Sequence, residues 1–250
     1  MPAKCSRSLA IEIDWVKIIT ELFCPELKKQ KKMRMFGSQK EITANCLIVG
    51  GPGAGKTSLL YSYETGKFLN TSLPSELIVE RSIEKRGKTL NLRILDTGPV
   101  YRILDVAPKL MSAIDVILLC FNVADRGSME TAINVLSYIE LHSTDCECCE
   151  SFCSTKSKVP KLVLVGTKAD LRSNQDTLFE MFDSKKTLVS RLEGQSFSES
   201  VGADLYHEVS ALYHDGVDEL FYELHKLFFP SLMERFHAFS RKIDMPFAAL

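Results

Sequence analysis

Two hydrophobic rhythms divide the chain. In residues 9–24 (LAIEIDWVKIITELFC), Ile11, Trp15, Ile18, Ile19, Leu22 and Phe23 recur at helical spacing. Pro25 ends that pattern, and a basic cluster of Lys28, Lys29, Lys31, Lys32 and Arg34 follows. From Ile42 onward, short apolar runs alternate with helix-length segments: CLIVG at 46–50, LNLRILD at 90–96, VILLCFNV at 116–123 and KLVLVG at 161–166. Unbroken runs of this kind suit strands covered on both faces. The pattern predicts an α/β domain with a mostly parallel central sheet and helices on both faces. Residues 144–158 read as a Cys/Ser/Lys-rich loop, 173–200 as a polar helical insertion and 216–229 as a closing amphipathic helix. The expected organisation is an N-terminal extension over 1–41, one domain over 42–230 and a tail over 231–250.

Composition narrows the class. At 45% hydrophobic and 25% charged the 250-residue chain is globular, not collagen-like or disordered. Thirty-one basic against 32 acidic residues lack the excess a duplex-binding protein carries, so nucleic acid is not an expected partner. No apolar run reaches the roughly 18 residues of a membrane span. Glu12, Asp14, Lys17 and Glu21 break the N-terminal stretch where a signal peptide would be apolar. A cytoplasmic chain is expected, with Met33 and Met35 as alternative starts.

Chemistry enters at Gly50-Gly51-Pro52-Gly53-Ala54-Gly55-Lys56-Thr57, which fits G-x-x-x-x-G-K-[ST] between a strand and the helix that Thr57 and Ser58 open. Glycines let backbone N–H groups converge on phosphate oxygens at a helix N-terminus, whose dipole also favours the anion. Lys56 supplies a cation to β- and γ-phosphates, and the Thr57 hydroxyl ligates Mg²⁺. Further on, strand KLVLVG runs into Thr167-Lys168-Ala169-Asp170. A carboxylate there accepts from the ring N–H and exocyclic amine of guanine, the Lys168 stem lies along the base, and adenine has no such donor pair. The end of a parallel strand is also where an open α/β sheet binds its ligand.

With these motifs, over residues 42–230, the sequence resembles the Rho subfamily of Ras-like small GTPases, a P-loop NTPase fold. The likeness extends to the D-T segment at Asp96, the CFNV strand, VGTKADLR at 165–172, VSAL at 209–212 and a helical insertion near 173–195. It implies GTP/GDP and Mg²⁺ binding, a nucleotide-dependent signalling switch with cytoskeletal outputs, and effector and regulatory proteins of Rho type as partners. It further implies that Phe68 covers the guanine edge and that Ser75, after Pro74, completes the Mg²⁺ shell. Asp96 would hold the metal through water, and the Ser210-Ala211-Leu212 loop would touch the guanine oxygen.

The chain departs from that family around the γ-phosphate. Where the family reads Asp-Thr-Ala-Gly-Gln, this chain reads Asp96-Thr97-Gly98-Pro99-Val100, and the spacing to Asp115 leaves no gap to shift the alignment. Pro99 has no N–H for the γ-phosphate, and Val100 has no polar atom to orient a water. Pro52 replaces a family glycine beside the transferring phosphoryl. The Rnd-type Rho proteins, deficient in hydrolysis, are similar in this respect. Guanine-nucleotide binding with slow or absent hydrolysis is expected; a GTPase restored by a helper protein and a nucleotide-free scaffold stand as alternatives.

Attachment to membranes is the remaining question. The chain ends Pro246-Phe247-Ala248-Ala249-Leu250, with Phe247 where a prenylated Cys would sit, so no prenylation is expected. The N-terminal helix with its basic cluster suits peripheral membrane contact, or packing on the domain, or a solvated tail. Cys146, Cys148, Cys149 and Cys153 suit an inert variable loop, S-acylation or a zinc site of tight spacing. The five histidines read as surface or helix-face residues, with no Ser/His/Asp arrangement.

Overall fold

A computed structural model describes residues 40–68, 77–96, 98, 113–143 and 159–229. The N-terminal helix and basic cluster, Pro74, Ser75, Pro99, Val100, the Cys-rich loop and the tail lie outside the described residues. The elements run β1 (Lys40–Gly50), α1 (Lys56–Thr65), β2 (Leu77–Lys85), β3 (Lys88–Asp96), β4 (Val116–Asn122), α2 (Arg126–Ser143) and β5 (Lys161–Thr167). A 3₁₀ turn (Ala169–Arg172), α3 (Gln175–Asp183), α4 (Arg191–Ser200), β6 (Leu205–Glu208) and α5 (Val217–Phe228) complete them.

Among the described residues six strands form one sheet in the order β2-β3-β1-β4-β5-β6. Of these, β2 and β3 pair antiparallel and the other neighbouring pairs are parallel. The apolar runs are unbroken because both faces are covered. Along β1, Leu47 and Val49 face one core, while Ala44, Cys46 and Ile48 face the other. The first core takes Val135, Leu136 and Ile139 of α2 and Phe197 of α4. The second takes Leu59 and Leu60 of α1 and Val217, Leu220, Phe221 and Leu224 of α5. Phe221 is fully buried and its ring stacks on Tyr63, with centroids 3.6 Å apart. Phe221→Ala should therefore cost about 3–5 kcal/mol of unfolding free energy, read from the midpoint of a urea titration at unchanged slope.

Three features differ from the sequence pattern. Strand β1 begins at Lys40, ahead of the apolar run, and pairs with the whole of β3 from Lys40↔Lys88 to Ile48↔Asp96. Strand β6 carries no apolar run, and in β2 the run is only Leu77-Ile78-Val79 before charge takes over. β2 holds Glu80, Arg81, Glu84 and Lys85 on the open edge of the sheet, where charge deters pairing with another chain. The polar segment near 173–195 is two helices of unlike roles. α3 buries no residue, and its Phe179 and Phe182 are 74% and 84% exposed. α4 belongs to the core layer and starts afresh at a capping box, where Ser190 Oγ accepts from Glu193 N at 3.2 Å and Glu193 Oε2 accepts from Ser190 N at 2.7 Å. Among the described residues no helix is long and apolar enough to cross a membrane.

Candidate functional site

Register places the site. Gly50 pairs with Cys120, Ile48 with Asp96 and Asn122 with Thr167, so the carboxyl ends of β1, β3, β4 and β5 share one edge of the sheet. β1 lies between β3 and β4, the point at which the strand order reverses and such sheets open a crevice.

Loop 51–55 fills that position. Gly50 has φ 146°, and a Cβ there would come 2.2 Å from the Cys120 carbonyl oxygen, so the loop leaves the sheet only because the residue has no side chain. Gly55, at φ 77°, caps α1 with no side-chain hydrogen bond. The first-turn N–H groups of α1 are thus not claimed by a capping side chain. Lys56 is buried, and its Nζ donates to the carbonyls of Gly50 (2.9 Å) and Gly51 (3.0 Å). Two of its three donors fix the ammonium inside the loop, leaving one for an anion. Gly51 and Ala54 are buried, Ser58 is half-buried, and Pro52 and Gly53 are exposed at the tip.

A hydroxyl and a carboxylate meet beside the loop. Thr57 Oγ1 donates to Asp96 Oδ2 at 2.5 Å, and Gly98 N donates to Oδ1 at 2.9 Å. Burial pushes the Asp96 carboxyl above its usual value, against the bonds from Thr57 and Gly98 and the charge of Lys56. A fully buried carboxylate next to a hydroxyl is a hard-oxygen donor set, and it fits Mg²⁺. The described cysteines suit no such role. Cys46 and Cys120 are fully buried, and burial drives the Cys120 thiol up to about 12 and the Cys46 thiol higher still.

The next group of residues lies where β5 ends. Thr167 Oγ1 donates to the carbonyls of Ala54 (2.7 Å) and Phe121 (3.0 Å), tying this strand end to the loop. Lys168 adopts a left-handed φ of 56°, turning the chain into the 3₁₀ turn that carries Asp170. Asp170 Oδ1 accepts from Ser210 Oγ at 2.6 Å, and Ala169 N donates to Val209 O at 3.0 Å. Ser210 and Asp215 exchange backbone hydrogen bonds, closing the loop that holds half-buried Ala211 and exposed Leu212. Phe68, beyond the end of α1, is exposed and makes no hydrogen bond or ring contact with these groups among the described residues.

Two clusters have no counterpart in the sequence reading. Ser62 Oγ lies 2.8 Å from His214 Nδ1, and His214 Nε2 lies 3.4 Å from Asp218 Oδ2. A Ser/His/Asp arrangement therefore exists, against expectation, and its members are up to 156 residues apart in the chain. Ser62 is fully buried, so it joins α1 to the 210–216 loop and is closed to any substrate. His225 is buried as well, on the sheet side of α5, with Nε2 3.2 Å from Lys88 O.

The second cluster is the Glu208 carboxylate, which receives Arg172 (3.1 and 2.8 Å), Tyr206 Oη (2.6 Å) and Arg191 (3.3 Å). Burial alone would raise this carboxyl, but the hydrogen bonds and positive charges around it outweigh that and hold it below its ordinary value. The stability it contributes is then complete above the ordinary glutamate value of about 4.3 and declines as pH falls toward the depressed folded value. In urea titrations the advantage of wild type over Glu208→Gln should be constant at pH 5–7 and shrink below pH 4. An advantage that grew on acidification would reverse the sign and refute the assignment.

Comparison with known proteins agrees with this geometry. A model of the Ras family matches residues 45–229, well over half of the chain. The Rho-related GTP-binding protein RhoD of Homo sapiens is 31% identical over 207 residues, covering 82% of this chain and 90% of that protein. The GTP-binding protein RHO1 of Candida albicans is 30% identical over 190 residues, covering 75% and 88%. The chain belongs to the Ras family and is, within it, a Rho-like small GTPase.

Proposed function

We propose that this protein is a guanine-nucleotide-dependent signalling switch that holds GTP and hydrolyses it slowly or not at all. The observation that carries its nucleotide-binding half is the convergence of Lys56, Thr57, Asp96 and the Asp170–Ser210 pair on one edge of the sheet. The N–H groups of loop 51–55 and the start of α1 would wrap the β-phosphate, and Lys56 would lie against the β- and γ-phosphates. When bound, Mg²⁺ would neutralise charge on those phosphates. Thr57, Asp96 and, by family resemblance, Ser75 would hold it. Asp170 would take the two guanine donors, with Oδ1 already steadied by Ser210. Phe68 and the Ser210-Ala211-Leu212 loop would complete the base pocket.

Hydrolysis needs a water held in line with the γ-phosphate, and the residue after Pro99 is Val100, an aliphatic side chain. The bound triphosphate would persist, so effector and regulatory proteins of Rho type would meet a long-lived GTP form. Nucleotide extracted from freshly purified protein should be guanine nucleotide. Single-turnover γ-phosphate release should stay slow with or without a Rho-activating protein. Release at ordinary Rho rates would overturn the slow-hydrolysis reading. An absence of nucleotide, with no GDP binding in calorimetry, would overturn the switch itself.

A further inference from the structure

The structure points to Glu208 as a positioning residue for base selection, which we propose acts through Arg172 on the aim of Asp170. This inference rests on the reading of Asp170 as the group that meets guanine. Three successive residues, Glu208, Val209 and Ser210, each hold a residue of the 3₁₀ turn. Glu208 takes Arg172 in a two-pronged ion pair (3.1 and 2.8 Å), Val209 O takes Ala169 N (3.0 Å), and Ser210 Oγ donates to Asp170 Oδ1 (2.6 Å). No residue of the turn is fully buried; all four are half-buried, so polar links weigh heavily in its orientation. Among those links, Arg172 makes paired, charge-assisted bonds.

The Glu208 carboxylate is itself held rigidly. Its side chain is 3% exposed, and a buried carboxylate is tolerated only when its lone pairs are filled. Arg172 supplies two donors, Tyr206 Oη one at 2.6 Å and Arg191, the first residue of α4, one at 3.3 Å. Tyr206 reaches it across a glycine of α4. A Cβ on Gly194 would stand 2.1 Å from the Tyr206 hydroxyl oxygen, so the ring lies where only glycine leaves room. Backbone pairing of Gly166 with Glu208 anchors the carboxylate to β5, the strand that leads into the turn. Glu208 is thus a fixed post to which the partly exposed Arg172, at 25%, is fastened.

The test compares GDP with IDP, whose hypoxanthine base lacks the exocyclic amine and makes one bond to Asp170 where guanine makes two. A misaimed Asp170 loses more with GDP, so the affinity ratio reports aim and not general stability. Affinities for both nucleotides with Mg²⁺ are measured for wild type, Glu208→Gln, Arg172→Met, the double variant and Arg172→Lys. Glu80→Gln, at an exposed ion pair with Arg93, is the control. The GDP/IDP ratio should fall roughly tenfold in Glu208→Gln and in Arg172→Met, no further in the double variant, and less in Arg172→Lys. Both affinities falling equally at constant ratio, or no change in either, would overturn the proposal. Should Glu208→Gln fail to fold, the two Arg172 variants carry the same comparison. Wild type that binds GDP and IDP alike would instead refute the Asp170 reading beneath it.

Discussion

Lys56→Met is expected to weaken GDP binding by roughly 100-fold. A buried ammonium directed at phosphate makes charge-assisted bonds worth about 1.5–3 kcal/mol, against about 1 kcal/mol for a neutral N–H. Its strength here comes from placement. The residue is 7% exposed, so water screens its charge poorly, and the Gly50 and Gly51 carbonyls hold the ammonium in place. Methionine keeps an unbranched apolar stem out to Cε and lacks only the terminal ammonium, so the loss falls on the charge. Displacement of a fluorescent GDP analogue in the presence of Mg²⁺ measures the effect, with a thermal melt to confirm folding. A loss under about threefold would mean the loop grips phosphate through its backbone alone.

Much of this site is legible in one dimension because its parts are local. Residues 50–57 run from the end of β1 through the loop into the first turn of α1, so the phosphate grip proposed for them depends on neighbours in sequence. Thr167, Lys168 and Asp170 are readable for the same reason, at the end of an apolar run. The parallel sheet follows from runs buried on both faces, since no half-exposed strand would omit polar positions across CLIVG or VILLC.

What stays hidden is contact between distant segments and structure without an apolar mark. Strand β2 is an edge strand whose three-residue apolar run, Leu77-Ile78-Val79, gives way to charge, and β6 is four residues long, so both give weak signals. The Ser190–Glu193 capping box was readable as S-x-x-E, yet the polar run around it masks where one helix ends and the next begins. Ser62 and His214 meet across 152 residues, and Arg172 and Glu208 across 36. The second pair has a faint signal, because each lies within two residues of a site residue, Asp170 or Ser210. Only the fold brings the two flanks face to face.

Restoring Pro99→Gly together with Val100→Gln should raise single-turnover hydrolysis about 100-fold, equivalent to about 2.7 kcal/mol off the barrier. The two changes act on different terms. A glutamine supplies a carbonyl and an amide that can orient water toward the γ-phosphate, and this effect should appear in the rate alone. A glycine restores an N–H that only GTP can engage, so its signature is tighter GTP binding relative to GDP, with little change in rate by itself. Measuring the single variants beside the double therefore separates orientation of water from recognition of the third phosphate. If the double variant bound GTP more tightly yet gained no rate, the remaining obstacle would lie at Pro52, exposed at the loop tip, or at Ser75. Pro52→Gly on the same background decides between them. A gain would assign the block to the proline ring, and no gain would move it to the metal-side hydroxyl.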